Sequence, residues 1–183
     1  MKRTAAILVA GAVAIALGGI ALAGLNLNSS IHLAGDFEVP ARATNAQGQA
    51  SFHIADDGQS VDYKLIASNI DNAFMAHIHC GSPADNGPIV VWLYPSTAPV
   101  PGPTGSGRHN GVLAEGTFTN ANVSPVAPGA NPACPAGVAN LANVIERLQN
   151  GGAYVNVHTN DGVAPPNTGP GDFPGGEIRG NAP

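Results

Sequence analysis

Three histidines lie in two short segments that alternate apolar and polar residues. His77 and His79 are separated by one residue in segment 76–81, and His158 lies in segment 153–159. Because side chains alternate faces along a β-strand, each segment predicts a strand with apolar residues on one face and histidines on the other. Neutral imidazoles suit copper and zinc. The sequence therefore predicts a three-histidine metal site if the two strands are neighbours in one sheet.

The same residues have a purely structural alternative, in which the histidines and Asn156 form a polar ladder on the sheet surface. Glu177 and Arg179, near the C-terminus, have two interpretations as well. In the first, they join Asn156 as outer hydrogen-bond partners of metal-bound histidines. In the second, they form an exposed ion pair that contributes well under about 1 kcal/mol. The sequence leaves both alternatives open.

The remaining pattern predicts the elements that position these residues. Val138, Leu141, Ile145 and Leu148 are spaced by three, four and three residues, which predicts one amphipathic helix over 138–149. Alternating segments predict strands at 31–35, 48–55, 60–68, 74–79, 88–94, 112–119, 152–159 and 176–180. We expect a mostly β protein, an antiparallel Greek-key β-sandwich with one short helix; a closed barrel is the alternative. Trp92 and Tyr94 are expected on the core face.

The N-terminus has the pattern of an export signal. Lys2 and Arg3 precede an uncharged apolar run over 5–25, and a small-residue pattern ends at Ala23. About 20 apolar residues also suffice to span a bilayer, so an uncleaved segment would be a membrane anchor. We predict a signal peptide or anchor at 1–23, a linker at 24–30, and a single extracytoplasmic domain at 31–183.

Charge restricts the partners that the domain can bind. The formal net charge is −5, and it becomes −7 once Lys2 and Arg3 are removed, because no acidic residue precedes position 24. A negative domain is unsuited to nucleic acid or to an anionic lipid surface. We therefore expect membrane contact only through an uncleaved N-terminal segment.

The two cysteines, Cys80 and Cys134, predict one disulfide in an exported chain. It would close a loop of about 55 residues and contribute roughly 4 kcal/mol. Two alternatives stay open: a pair of separate buried thiols, or Cys80 as a metal ligand beside His79.

Five pieces of the sequence, taken in order, resemble the CHRD domain, a family first described in the developmental regulator chordin. They are Phe37-Glu38-Val39-Pro40, Ala76-His77-Ile78-His79 followed by Gly81, Gly87-Pro88-Ile89-Val90, Tyr154-Val155-Asn156-Val157-His158-Thr159, and Gly176-Glu177-Ile178-Arg179-Gly180. The resemblance covers residues 31 to 181. It implies a secreted β-sandwich module without an established activity. The expected function is therefore non-enzymatic, in adhesion, matrix or interaction, through an extracellular partner or self-assembly.

The chain is more distantly similar to copper–zinc superoxide dismutase, which has a Greek-key sandwich, a His-x-His pair, a later histidine and a late arginine. The analogous residues are His77, His79, His158 and Arg179. The dense zinc loop of that family has no counterpart, because only His109 lies between the two histidine segments. This resemblance implies, as the alternative function, a single copper or zinc ion and superoxide-dismutase-like activity.

Overall fold

A computed structural model of the chain describes residues 28–95 and 101–183, and the predicted export signal lies outside these ranges. Eight strands and one α-helix occupy the described residues. They are β1 Asn28–Ala34, β2 Gln47–Ile54, β3 Ser60–Asp71, β4 Ala73–Cys80, β5 Ile89–Tyr94, β6 Arg108–Thr119, α1 Leu141–Gln149, β7 Ala153–Thr159 and β8 Ile178–Asn181. Each predicted strand is present, and β1 begins three residues before its expected start.

The strands form one antiparallel sheet in the order β5-β4-β7-β8-β1-β2-β3-β6. The mostly β prediction is confirmed, but a single sheet replaces two separate ones. The sheet curls until its ends approach: Tyr63 Oη of β3 donates to the Leu93 carbonyl of β5 at 2.7 Å. The Ser124 N–H, beyond β6, donates to the Val90 carbonyl at 2.8 Å. The result is a nearly closed sheet, intermediate between the predicted sandwich and the barrel alternative.

The apolar faces of the strands fill the inside of this curled sheet. In β2, Ala50, Phe52 and Ile54 are buried, and the intervening residues are exposed, as the alternation predicts. The helix α1 packs on the same core through Leu141, Val144, Ile145 and Leu148. Its predicted start at 138 is wrong by three residues, because the Asn140 side chain accepts the Asn143 N–H and caps the helix there.

Within residues 28–95 and 101–183, no helix combines the length and the apolar character needed to cross a membrane.

The predicted disulfide is confirmed. Cys80 and Cys134 are bonded, with an S–S distance of 2.04 Å and a Cα–Cα distance of 5.6 Å. Both residues are fully buried, so the bond ties the loop before α1 to the end of β4, directly after His79. Neither cysteine is a thiol, which excludes the separate-thiol alternative and removes Cys80 as a thiolate ligand.

The predicted core position of Trp92 is wrong. Trp92 pairs with His77 across β4 and β5, and its ring meets the His77 ring edge-on with 4.2 Å between centroids. The register of this pair shifts on both sides of His77 and Ile78. Such bulges change which face a side chain occupies. Tyr94, beyond the shift, packs against the core as expected.

Candidate metal-binding site

The two histidine strands are neighbours in the sheet, which is the condition under which the sequence predicts a three-histidine site. In the β4–β7 pair, His77 lies opposite Asn156, and Asn156 lies opposite Arg179 of β8. The alternating residues Ala76, Ile78, Val155 and Val157 are all buried in the apolar core. The histidines therefore share the opposite face of the sheet.

The three imidazoles converge on one point of that face. His77 Nδ1 lies 3.1 Å from His158 Nε2, and one ring nitrogen from each of the three histidines lies within 4.8 Å of the others. The ring centroid of His77 lies 5.5 Å from that of His79 and 4.9 Å from that of His158. Within the described part of the chain, this is the one cluster of three metal-ligating side chains.

The polar face that the sequence places at the surface is instead buried. His77 is 0 % exposed, His79 7 % and His158 6 %, while Glu177 and Arg179 are both 0 % exposed. The surface ladder and the exposed ion pair are therefore both wrong. Loops rich in Gly and Pro cover this face, and such loops have no periodicity from which their position can be predicted.

Two backbone carbonyls set the orientation of the histidine rings. His79 Nδ1 lies 2.8 Å from the Gly87 carbonyl oxygen, and His158 Nδ1 lies 2.9 Å from the Pro174 carbonyl oxygen. A carbonyl only accepts hydrogen bonds, so Nδ1 carries the proton in both rings. The lone pair of each ring is then on Nε2, the atom available to a metal. The Nδ1 partners of these two rings thus come from loops.

Burial keeps the three imidazoles neutral. It lowers the pKa of His77 to about 2, and the neighbouring His158 and His79 lower it further. It lowers the pKa of His79 and of His158 to about 4, although the Gly87 and Pro174 carbonyls act in the opposite direction. Neutral imidazole is the form that binds metals, because a bound proton occupies the lone pair.

Two buried nitrogens in the cluster have no hydrogen-bond partner among the described residues: His77 Nε2 and His79 Nε2. Buried polar atoms are nearly always bonded. An ion shared with His158 Nε2 and His77 Nδ1 would give His79 Nε2 a partner but would leave His77 Nε2 without one. Two ligands about 2.0–2.1 Å from one tetrahedral ion lie roughly 3.3 Å apart. The 3.1 Å separation between His77 and His158 therefore suits both an N–H···N hydrogen bond and a shared ion. The donor set fits copper or zinc.

Aromatic rings close the cluster on two sides. The Trp92 ring contacts the His77 ring edge-on. The Tyr154 ring stacks on the His79 ring, with 4.7 Å between the two centroids and an angle of 8° between the two ring planes. The Arg179 guanidinium lies 3.4 Å above the other face of Tyr154. No motif in the sequence marks Tyr154 as part of this site, although its even spacing from Asn156 and His158 places it on their face.

Arg179 holds the loop that orients His79. The guanidinium donates to the carbonyls of Ser82 at 2.8 Å and Asp85 at 3.0 Å, and to the side chains of Asn86 at 3.3 Å and Asn181 at 3.0 Å. The same loop supplies the Gly87 carbonyl to His79, and the Gly87 N–H donates to Tyr154 Oη at 3.0 Å. Arg179 therefore positions this loop over the cluster.

Glu177 holds the loop that orients His158. Its carboxylate accepts hydrogen bonds from Thr44 Oγ1 and Thr159 Oγ1, both at 2.6 Å, and from the Gly171 N–H at 2.8 Å. Gly171 precedes Pro174, whose carbonyl accepts from His158. Glu177, which directly precedes β8, thus connects the start of that strand to two loops around the cluster.

Glu38 is a further buried acid beside the cluster. Burial raises the pKa of its carboxyl to about 7, against the opposing effects of Arg179, Arg42 and Asn156. Its Oε1 has no hydrogen-bond partner among the described residues. Gly176 lies against it with φ +125°, and a Cβ there would clash with Glu38 Oε1. A glycine is therefore required for this close approach.

Fold and site together define a mostly β protein with a second, polar core built around three neutral histidines. All five sequence pieces that resemble the CHRD domain contribute to this polar core, through Glu38, His77 and His79, Gly87, Tyr154 to Thr159, and Gly176 to Arg179. The family model for the CHRD domain matches residues 29–182, and the chain belongs to the CHRD domain family. No curated protein and no solved structure matched the chain.

Proposed function

We propose that this chain is an exported, non-enzymatic CHRD module that binds one copper or zinc ion through His77, His79 and His158. The observation that carries the proposal is the convergence of one nitrogen from each of these buried rings within 4.8 Å. Export is supported by the N-terminal signal pattern and by the disulfide, which is typical of oxidising compartments.

The burial of the cluster supports a structural ion over a catalytic one. Catalytic metal sites keep an open position for water or substrate, whereas structural sites are closed by the protein. Here loops and aromatic rings enclose the histidines, the most exposed of which is only 7 % accessible. Such an ion would join β4 to β7 and add its binding free energy to the stability of the fold. The export signal pattern and the family resemblance motivate the adhesion, matrix or interaction role, and that role stays a prediction.

Metal titration of the intact, untagged chain tests the proposal. The chain has one tryptophan, Trp92, whose ring contacts His77, so its fluorescence reports directly on the cluster. We expect the fluorescence of chelator-treated protein to change with added copper or zinc and to saturate at one equivalent. His77→Ala and the less disruptive His79→Gln should abolish this response. His32→Ala, at an exposed position on β1, is the matched control and should leave it unchanged.

Circular dichroism of each variant shows whether it is folded, so that loss of binding can be distinguished from loss of structure. Binding of less than about a tenth of an equivalent of both metals by folded wild-type protein, measured by elemental analysis, would refute the proposal. A saturable response that survives in folded His79→Gln would also contradict it, because the ion would then bind elsewhere.

A further inference from the structure

We infer that the cluster of His77, His79 and His158 selects monovalent copper, Cu(I), over the divalent ions Zn(II) and Cu(II). The inference rests on the proposed function and names the ion that the site takes. Two features of the structure lead to it: the charge of the ligands and the number of ligands.

The ligands carry no negative charge. All three are imidazoles, and no carboxylate or thiolate joins the cluster within the described residues. The two cysteines are held in the disulfide, so neither supplies a thiolate. A bound ion therefore keeps its full charge in a buried site. The cost of burying an ion rises with the square of its charge, so a divalent ion costs about four times as much as a monovalent one.

The number of ligands indicates the same ion. Structural zinc is almost always held by four protein ligands in a tetrahedron. The cluster supplies three, and no fourth His, Cys, Asp or Glu side chain of the described chain lies with them. Cu(II) favours tetragonal surroundings with four or more ligands, whereas Cu(I), with a filled d shell, is stable with three.

Competition titrations of the intact chain test the preference. Cu(I), kept reduced with ascorbate, is titrated against bicinchoninate, and Zn(II) against a chromophoric zinc chelator. We expect the Kd for Cu(I) to be below that for Zn(II).

At pH 8, above the Glu38 pKa of about 7, the isosteric variant Glu38→Gln removes one buried negative charge without changing shape. Because electrostatic attraction doubles for a divalent ion, we expect a loss of affinity of about 3-fold for Cu(I) and about 10-fold for Zn(II). Glu115→Gln, at an exposed position on β6, is the matched control and should change neither affinity.

The outcomes separate this inference from the proposed function. A Zn(II) affinity equal to or above that for Cu(I), or an equal loss of both affinities in Glu38→Gln, overturns the inference and leaves a metal-binding module. Binding of neither ion removes the proposed function itself, and the inference with it.

Discussion

Replacing Glu177 tests whether the polar core stabilises the fold. Its buried carboxylate accepts three hydrogen bonds, from Thr44, Thr159 and Gly171. Glu177→Ala removes all three and leaves three donors without their acceptor. Each loss costs roughly 1–3 kcal/mol, and relief from burying the carboxylate offsets a part of the total. We therefore expect Glu177→Ala to lower the free energy of unfolding by about 3–5 kcal/mol.

Glu177→Gln is the matched control, because it keeps the shape and one acceptor oxygen. That oxygen can serve Thr159 and Gly171, which bond to the same carboxylate oxygen, Oε2. The new amide group faces the Thr44 hydroxyl, which can rotate to accept from it. We expect a loss of only about 1 kcal/mol.

Urea unfolding of the metal-free chain measures both losses. With a slope of about 2 kcal/mol per molar urea, the midpoint should fall by about 2 M for Glu177→Ala and about 0.5 M for Glu177→Gln. A loss below about 1 kcal/mol in Glu177→Ala would refute the reasoning. Equal losses in the two variants would show that the negative charge matters, rather than the hydrogen bonds.

Acid and loss of the disulfide should each destabilise the metal-free protein. In the unfolded chain histidine has a pKa near 6.5 and is protonated below that pH. The three buried histidines of the folded chain have pKa values of about 4 or less and stay neutral at pH 5. Acid therefore favours the unfolded chain. At pH 5 the three together lower the free energy of unfolding by about 6 kcal/mol, and protonation of Glu38, whose pKa is raised, returns about 2 kcal/mol. Urea unfolding at pH 7.5 and pH 5 measures the net loss of unfolding free energy. This loss should be larger in Glu38→Gln, because glutamine takes up no proton. An equal or smaller loss in Glu38→Gln would contradict the assignment of the gain to Glu38. The double variant C80A/C134A should lose about 4 kcal/mol, because its residues lie 54 apart and the bond restricts the unfolded chain. A loss under about 1 kcal/mol in the same assay would contradict that loop-closure reasoning.

Local patterns in the sequence determine the strands and the grouping of the histidines. The two-residue period places Ile78 and Val155 in the core, and therefore places His77, His79 and His158 together on the other face. The period does not determine that β4 and β7 are neighbours, and that pairing brings the three rings close. The disulfide follows just as directly, because the chain has only two cysteines.

Only the tertiary structure decides that this polar face is buried. The covering loops are rich in Gly and Pro. Their composition predicts irregular backbone, but it does not predict where in the fold the loops pack. They are held over the histidines by Arg179 and Glu177, through hydrogen bonds between residues as far apart as Ser82 and Arg179. Trp92 reaches the site through a register shift between β4 and β5. A period of two reports which side chains share a face, but whether that face meets solvent or a loop depends on contacts between residues distant in the chain.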